Sequence, residues 1–331
     1  MICISPETAE ELEELGKIIN LINLDFVVYR KRIHRYERFR PLFKFIDAID
    51  FIRFIRKNKA PVVVGPPCLR NRIAHHICNI KFISYMRSLH PNGNMPTSLS
   101  DKIYFLLKRI GIRSNLLNPY YADQCLVSAD INREFLVSRG IRKDIINNIG
   151  AVWLDYAVPV YPDQCNQRLI FITQSFAEHN NDLAHSEQLE VAKRLYEIAQ
   201  QNDLKLVIRK HPRDRFPYED VFTDAEIDTS PVTKFIHSIG REDKVISSFS
   251  TLAFELCHLG VKVTFIKTRS NEHYSKLFDA LGLRPAYWWD IISIEDIVNF
   301  GALKSVFSNF DKELASKVLL NQLKVMDASD F

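Results

Sequence analysis

The chain is poor in the features that announce common nucleotide sites. It has only 10 glycines in 331 residues. Neither G-x-x-x-x-G-K-[ST] nor G-x-G-x-x-G occurs, so any phosphate must be held by other means. Its six cysteines (Cys3, Cys68, Cys78, Cys125, Cys165 and Cys257) form no C-x-x-C pair. That argues against a zinc ribbon or a disulfide framework and for reduced thiols in a cytosolic protein. No run approaches 18 uncharged apolar residues, so a membrane-spanning helix is not expected. The opening "MICISPETAEELEELG" lacks a basic n-region and does not read as a secretory signal. There is no D-x-D, the usual mark of a metal–diphosphate site, and no metal is expected.

What is present is enough apolar sequence for two cores, with 47% hydrophobic residues. Short apolar, β-rich runs alternate with helical patterns throughout, the rhythm of parallel sheets covered on both faces. "APVVVGPP", "KFISYMRSL" and "DQCLVSAD" read as strands in the first half, "NIGAVWLDY" as a strand or strand end, and 41–58 and 69–78 as helices. A further helix is expected in "SLSDKIYFLLKRIGI", and helices after Pro6 and in the last 30 residues. "AVPVYPDQCNQ" has two prolines and no periodicity, so it reads as a linker. The rhythm then restarts: strands in "RLIFITQ", "LKLVIRKHP", "AEIDT", "KVISSFS" and "KVTFIK", with Ser230 and Pro231 opening one of the intervening helices. The expected architecture is α/β, two Rossmann-like doubly wound domains facing each other across a cleft. Residues 1–156 form the first and 157–331 the second.

Charge is unevenly spread. Residues 17–113 carry 20 basic and 5 acidic residues, whereas 151–331 carry 20 and 26. A half this basic attracts an anionic partner, such as a membrane surface or an acidic polysaccharide, unless it is only a solvated face. Nucleic acid is the weakest option, because no recognised module is present. The helix at 41–58 has two readings: it lies on an anionic membrane, or it packs on a sheet.

Two segments carry the chemistry. In "LVIRKHPRDR" a buried strand runs into Arg209, Lys210, His211 and Pro212, at a strand end where α/β folds place ligands. Pro212 biases His211 to an extended backbone, and an imidazole there can donate to a phosphate oxygen. In "KVISSFSTLAFELCHLG" a strand ends in Ser247, Ser248, Ser250 and Thr251 as a helix begins. Hydroxyls and open N–H groups at a helix start suit an anion, although N-capping accounts for one such hydroxyl. Glu255, one turn on, can accept from a ribose or from the backbone. Arg87 and His90, at a strand end in the first half, are acceptor-side candidates. His75 and His76 are adjacent on a helix, point apart and do not chelate together. Asp155 near the linker and the Tyr287–Trp289 cluster are weaker candidates.

"IRKHP" followed by "ISSFSTLAFELCHLGVKV" resembles the His-Pro and Ser-Ser/Thr motifs of bacterial CMP-sialic acid transferases, the lipooligosaccharide and capsule sialyltransferases and polysialyltransferases. The resemblance covers the C-terminal half. It implies a GT-B fold and an inverting, metal-independent transfer of an acidic sugar from a CMP-activated donor to a bacterial surface glycan or glycolipid, without a cofactor. It implies that His211 and Pro212 contact the donor phosphate, with Ser250 and Thr251, joined by Ser247 and Ser248, binding it as well. The family's acidic pair is not matched: Glu178 is followed by His179 and Asn180, leaving Glu178 and Asp182 as candidate bases. CMP-Kdo, UDP- or GDP-sugar and CDP-glycerol donors remain alternatives, as does a non-catalytic protein that binds an anionic polymer or membrane. A cytoplasmic location, in contact with the inner face of the membrane, completes the expectation.

Overall fold

A computed structural model describes residues 2–5, 26–29, 40–86, 103–104, 106–107, 109–110, 118–152, 154, 167–179, 181–272, 275–280 and 283–297. The chain divides into two units. Described residues up to 152 belong to the first, and those from 154 to 297 to the second. The expected boundary at 156/157 falls in 155–166, outside the described residues, as do Asp155, the helix after Pro6 and the C-terminal helix.

In the first unit, β1 (Ile2–Ile4), β2 (Phe26–Val28), β3 (Val62–Gly65), β4 (Lys81–Met86), β5 (Gln124–Val127) and β6 (Ile146–Asn148) form one sheet in the order β2-β1-β3-β4-β5-β6. Every pairing is parallel. Helices α1 (Arg40–Asn58), α2 (Leu69–Cys78) and α3 (Asp130–Ser138) accompany it. The strands read as continuous apolar runs because both faces of such a sheet are covered. Cys3, Val63, Phe82 and Val127 meet Phe51 and Ile55 of α1 and Phe135 and Leu136 of α3 in one core. Hence α1, one of whose readings was a membrane-lying helix, buries Phe51 and Ile55 in the protein, though Ile46 and Ile49 stay partly exposed.

The second unit repeats the plan. Strands β7 (Arg168–Ile172), β8 (Lys205–Arg209), β9 (Glu226–Asp228), β10 (Lys244–Ser247), β11 (Val263–Lys267) and β12 (Ala286–Tyr287) lie in the order β12-β11-β10-β7-β8-β9, again all parallel. Helices α4 (Asp182–Gln201), α5 (Tyr218–Val221), α6 (Val232–Ser238), α7 (Thr251–His258) and α8 (Ser275–Ala280) connect them. The apolar stripe of α4 (Val191, Leu195, Ile198) packs on Phe171 and Ile208. Burying each large apolar side chain of this kind is worth roughly 1.5–3 kcal/mol.

Two local expectations are corrected. The strand sought in "NIGAVWLDY", residues 148–156, is Ile146–Asn148, which begins two residues earlier and ends at Asn148. Gly150 takes φ 81° and turns the chain out of the sheet. Ser230 does not cap α6. Pro231 occupies the cap position and the helix starts at Val232. The Ser230 carbonyl instead accepts from Arg209, and its N–H donates to Asp228. A buried charge pair has taken the residue that local propensity assigned to a cap.

Both sheets reverse direction once. In the second unit the chain runs β7 to β9 one way, then places β10 on the other side of β7. In the first it places β3 on the far side of β1 from β2. Such switch points open a crevice beyond the carboxyl ends of the strands, where open α/β sheets bind ligands.

Candidate functional site

In the second unit, Ser247 of β10, Ile172 of β7 and Arg209 of β8 lie level across three neighbouring strands. Ser248, Thr173 and Lys210 therefore emerge together from the carboxyl edge. The His-Pro and Ser-rich segments are not on adjacent strands. They flank β7, about 10 Å apart at the usual strand spacing.

His211 is held by its backbone and its ring. Its N–H donates to Thr173 Oγ1 (3.1 Å), and its Nδ1 accepts from the Arg213 N–H (3.2 Å). With Nδ1 accepting, the neutral ring carries its proton on Nε2, which makes Nε2 a donor. Behind it lies a buried polar chain that sequence reasoning missed. Thr173 Oγ1 donates to Asp214 Oδ2 (2.9 Å), and Tyr218 OH donates to the same oxygen (3.0 Å). Gln188 of α4 donates to Tyr218 OH (2.9 Å) and to the Gln174 carbonyl, and accepts from the Gln174 N–H. Burial, and then the negative charge of Asp214, pushes the Tyr218 phenol far above its ordinary value, so it stays protonated. This chain locks β7, α4 and the loop after β8 together. Asp214 stands in "HPRDR", but nothing in that string distinguishes a buried organiser from a solvated acid.

The four hydroxyls at the start of α7 behave differently from ordinary caps. Ser250 is the N-cap residue, with extended backbone, yet its side chain makes no capping bond. Ser247 and Ser248 are buried, at 0% and 4% exposure, and neither hydroxyl has a hydrogen-bond partner among the described residues. Leaving such a group unpaired costs roughly 1–3 kcal/mol, so an uncompensated pair is a place where a ligand can supply what the protein does not. Thr251 begins the helix and is half-buried. Asn271 fixes the far side of this edge. Its amide donates to the Ser248 carbonyl (2.8 Å) and the Ile266 carbonyl (3.0 Å), and its Oδ1 accepts from Thr268 N–H. Glu187 of α4, buried, accepts from the N–H groups of Arg269 and Ser270 and so anchors the loop after β11.

The other expected site residues differ in their settings. Arg209 is buried and turned along the sheet. It pairs with Asp228 (2.8 Å) and sits 4.7 Å from the Phe235 ring. Lys210 is half-buried, its Nζ 5.9 Å from the Tyr218 ring. Pro212 is exposed at the turn after His211. Glu178 is exposed, and its Oε1 accepts from the Arg215 N–H (2.9 Å). Partial burial would raise its pKa, but bonds from the Arg215 N–H and its own N–H, with the charges of Arg215 and His185, outweigh that and hold it low. Asp182 is exposed in the first turn of α4, the ordinary place for an acid on a helix dipole. Glu255 is buried within α7. Arg87 and His90 lie outside the described residues. Among the described residues no group of three or more His, Cys, Asp or Glu side chains is arranged to hold a metal ion, and no helix is long and apolar enough to cross a membrane.

Two consecutive, all-parallel, doubly wound units of this kind define the GT-B class of α/β proteins. No protein-family model and no curated protein sequence matches the chain. Solved structures do. The UDP-GlcNAc 2-epimerase of Neisseria meningitidis, bound to UDP-GlcNAc, superposes with TM-score 0.64 at 13% identity, covering 98% of this chain and 99% of that one. The UDP-N-acetylglucosamine 2-epimerase of Rickettsia bellii gives 0.62 at 12%, covering 98% and 96%. Anabaena Alr3699/HepE, in complex with UDP and glucose, gives 0.55 at 10%, covering all of both chains.

These findings overturn the CMP-sialic acid reading. The solved structures named above are two UDP-GlcNAc 2-epimerases and a protein that holds UDP and glucose, not CMP-sialic acid transferases, so the sialyltransferase family, its CMP-sialic acid donor and its roles in lipopolysaccharide and capsule synthesis are withdrawn. The physical reason is that a His-Pro at one strand end and a hydroxyl-rich helix start at another cradle a phosphate. Every nucleotide-activated sugar carries one. The two motifs therefore say nothing of the base or of the sugar.

Proposed function

We propose that this chain binds a UDP-sugar at the carboxyl edge of its second sheet and acts on the bond between the sugar and the diphosphate. The observation that carries the reading is the pair of buried, unpartnered hydroxyls of Ser247 and Ser248 at the switch point, beside an uncapped helix start. In this proposal they bind the diphosphate together with Ser250, Thr251 and the open N–H groups of α7. His211 donates from Nε2 to a diphosphate oxygen, and Lys210 and Arg213 add positive charge. Departure of UDP leaves negative charge on the diphosphate, and donors already in place stabilise that charge without reorganising. Glu255 accepts from the ribose. Arg209 is a structural residue here. Glu178, ionised and with a lowered pKa, is a weak base, so the proposal gives it no proton to take.

Epimerisation of a UDP-N-acetylhexosamine is the leading reading, since the structural neighbours named above include two UDP-GlcNAc 2-epimerases. Transfer of a hexose from UDP is the second, favoured by the neighbour that holds UDP and glucose. One experiment separates them. The chain is incubated with UDP-GlcNAc and with UDP-glucose, and the sugar protons and UDP release are followed by NMR. A new UDP-sugar epimer formed without acceptor selects the first reading. UDP with freed or transferred sugar selects the second. Absence of either, with no thermal stabilisation by UDP, defeats the proposal. A ligand at 100 times its Kd adds about 2.7 kcal/mol to stability, so binding is readily seen. His211→Ala is expected to lower turnover by about 10²-fold or more while the melting temperature stays near that of the parent.

A further inference from the structure

The basic first half contains a surface that the nucleotide site does not use. Residues 103–104, 106–107 and 109 are helical, and Ile103, Leu106 and Ile110 are 46%, 60% and 65% exposed. At 100° per residue these three positions fall within about 60° of one another, a single narrow face. Tyr104, off that face, is 8% exposed and ties the segment to the protein. Exposed apolar residues scattered singly are ordinary, but three in register on one helical face are not.

The sequence around them is predominantly basic. The charged residues of 101–113 are Asp101, Lys102, Lys108, Arg109 and Arg113, four basic and one acidic, and Arg109 is exposed. Over the wider stretch 17–113 the count is 20 basic to 5 acidic. An apolar face of Ile and Leu within a basic stretch matches the boundary of an anionic bilayer, where acyl chains take the apolar side chains and headgroups attract the cations. A second copy of this chain would set basic against basic, which disfavours self-association through the same face.

We propose that the exposed face formed by Ile103, Leu106 and Ile110 docks the protein reversibly on an anionic membrane surface, with these three side chains entering the headgroup region. The helix at 41–58, which carries the amphipathic signal in the sequence, is not the docking element, because Phe51 and Ile55 face the core.

The test uses the full chain and two kinds of vesicle, phosphatidylcholine alone and phosphatidylcholine with phosphatidylglycerol, in a sedimentation assay. Binding is expected only to the anionic vesicles and should weaken with added salt, since exposed charges are screened. The double variant Leu106→Asp, Ile110→Asp should lose about tenfold or more of the bound fraction. Leu106→Ala, Ile110→Ala should lose less and keeps the test valid should the charged variant fold poorly. The melting temperature and UDP binding report the fold of each variant. Equal binding to both vesicle types, no binding to either, or binding unchanged by both double variants would overturn the proposal. So would light scattering that shows a dimer which both double variants dissociate.

Discussion

The two units build the same crevice and fill it in opposite ways. At the first switch point, Ser5 follows β1 and Gly65 ends β3. The backbones approach so closely that a Cβ on Gly65 would meet the Ser5 carbonyl oxygen at 2.6 Å. The Ser5 hydroxyl, fully buried, donates to Asn71 Oδ1 (3.0 Å) and accepts from Arg70 (2.7 Å). Arg70 pairs with Asp47 (3.0 Å), and Tyr29 OH donates to the same carboxylate. At the second switch point, the hydroxyls of Ser247 and Ser248 are just as buried and have no partner among the described residues. The first crevice is thus closed by the chain's own side chains, whereas the second keeps two buried hydroxyls unpaired among the described residues. Sharing a fold does not mean sharing a site, and hydrogen-bond satisfaction tells the two apart.

The largest effect should come from the closed side. Asp47→Ala strips the partner from the buried guanidinium of Arg70, and loss of about 3–5 kcal/mol is expected in denaturant titration. A loss under about 1 kcal/mol would mean the network holds little. Next comes the organiser of the open side. Asp214→Ala removes the acceptor of the Thr173 and Tyr218 hydroxyls, and should cost about 1–3 kcal/mol and weaken UDP binding by releasing the His211 loop. UDP affinity unchanged in a folded Asp214→Ala protein would separate that network from the site.

The sharpest comparison is serine against serine. Ser5→Ala breaks bonds already made and should destabilise by about 1–2 kcal/mol, with no effect on UDP binding. Ser248→Ala, or Ser247→Ala, removes a hydroxyl that costs the free protein energy, and should leave stability equal or slightly raised while UDP affinity falls about tenfold, or about 1.4 kcal/mol. Equal destabilisation at both positions would erase the distinction between the crevices. The smallest effect concerns pH. Burial alone would raise the pKa of Asp228, but hydrogen bonds from Ser230 and the charge of Arg209 hold it below the ordinary value. Its contribution to stability is therefore full above about pH 4 and is lost as pH falls through the folded-state pKa. Asp228→Asn should flatten the acid limb of a stability–pH curve. An unchanged limb would remove Arg209 and Asp228 from the structural role assigned to them.

Much of this was legible from residue order. Runs such as Val62–Val64 and Leu169–Ile172 read as buried parallel strands because a sheet covered on both faces needs no alternation. The positions of His211 and of Ser247 to Thr251 at strand ends followed from the same pattern. Their shared partner did not. Thr173 lies 38 residues before His211, and only the placement of β7 between β8 and β10 brings it to the loop. Asp214 and Gln188 were overlooked for the same reason. The donor was misread because the two motifs report phosphate chemistry, while the base and the sugar are recognised by groups that no short motif displays.

By itself, then, the sequence determined most of the described strands and helices, that there are two α/β halves, and that two strand ends in the second carry anion-binding residue types. Those are consequences of local periodicity, turn residues and side-chain chemistry. The tertiary structure decided which polar side chains are spent on one another. Ser5 and Ser248 are the same residue at the same kind of strand end. Arg70 and Asn71 reach the first, and no described side chain reaches the hydroxyl of the second, because hydrogen bonding depends on what the fold brings within 3 Å and not on what stands beside a residue in the chain.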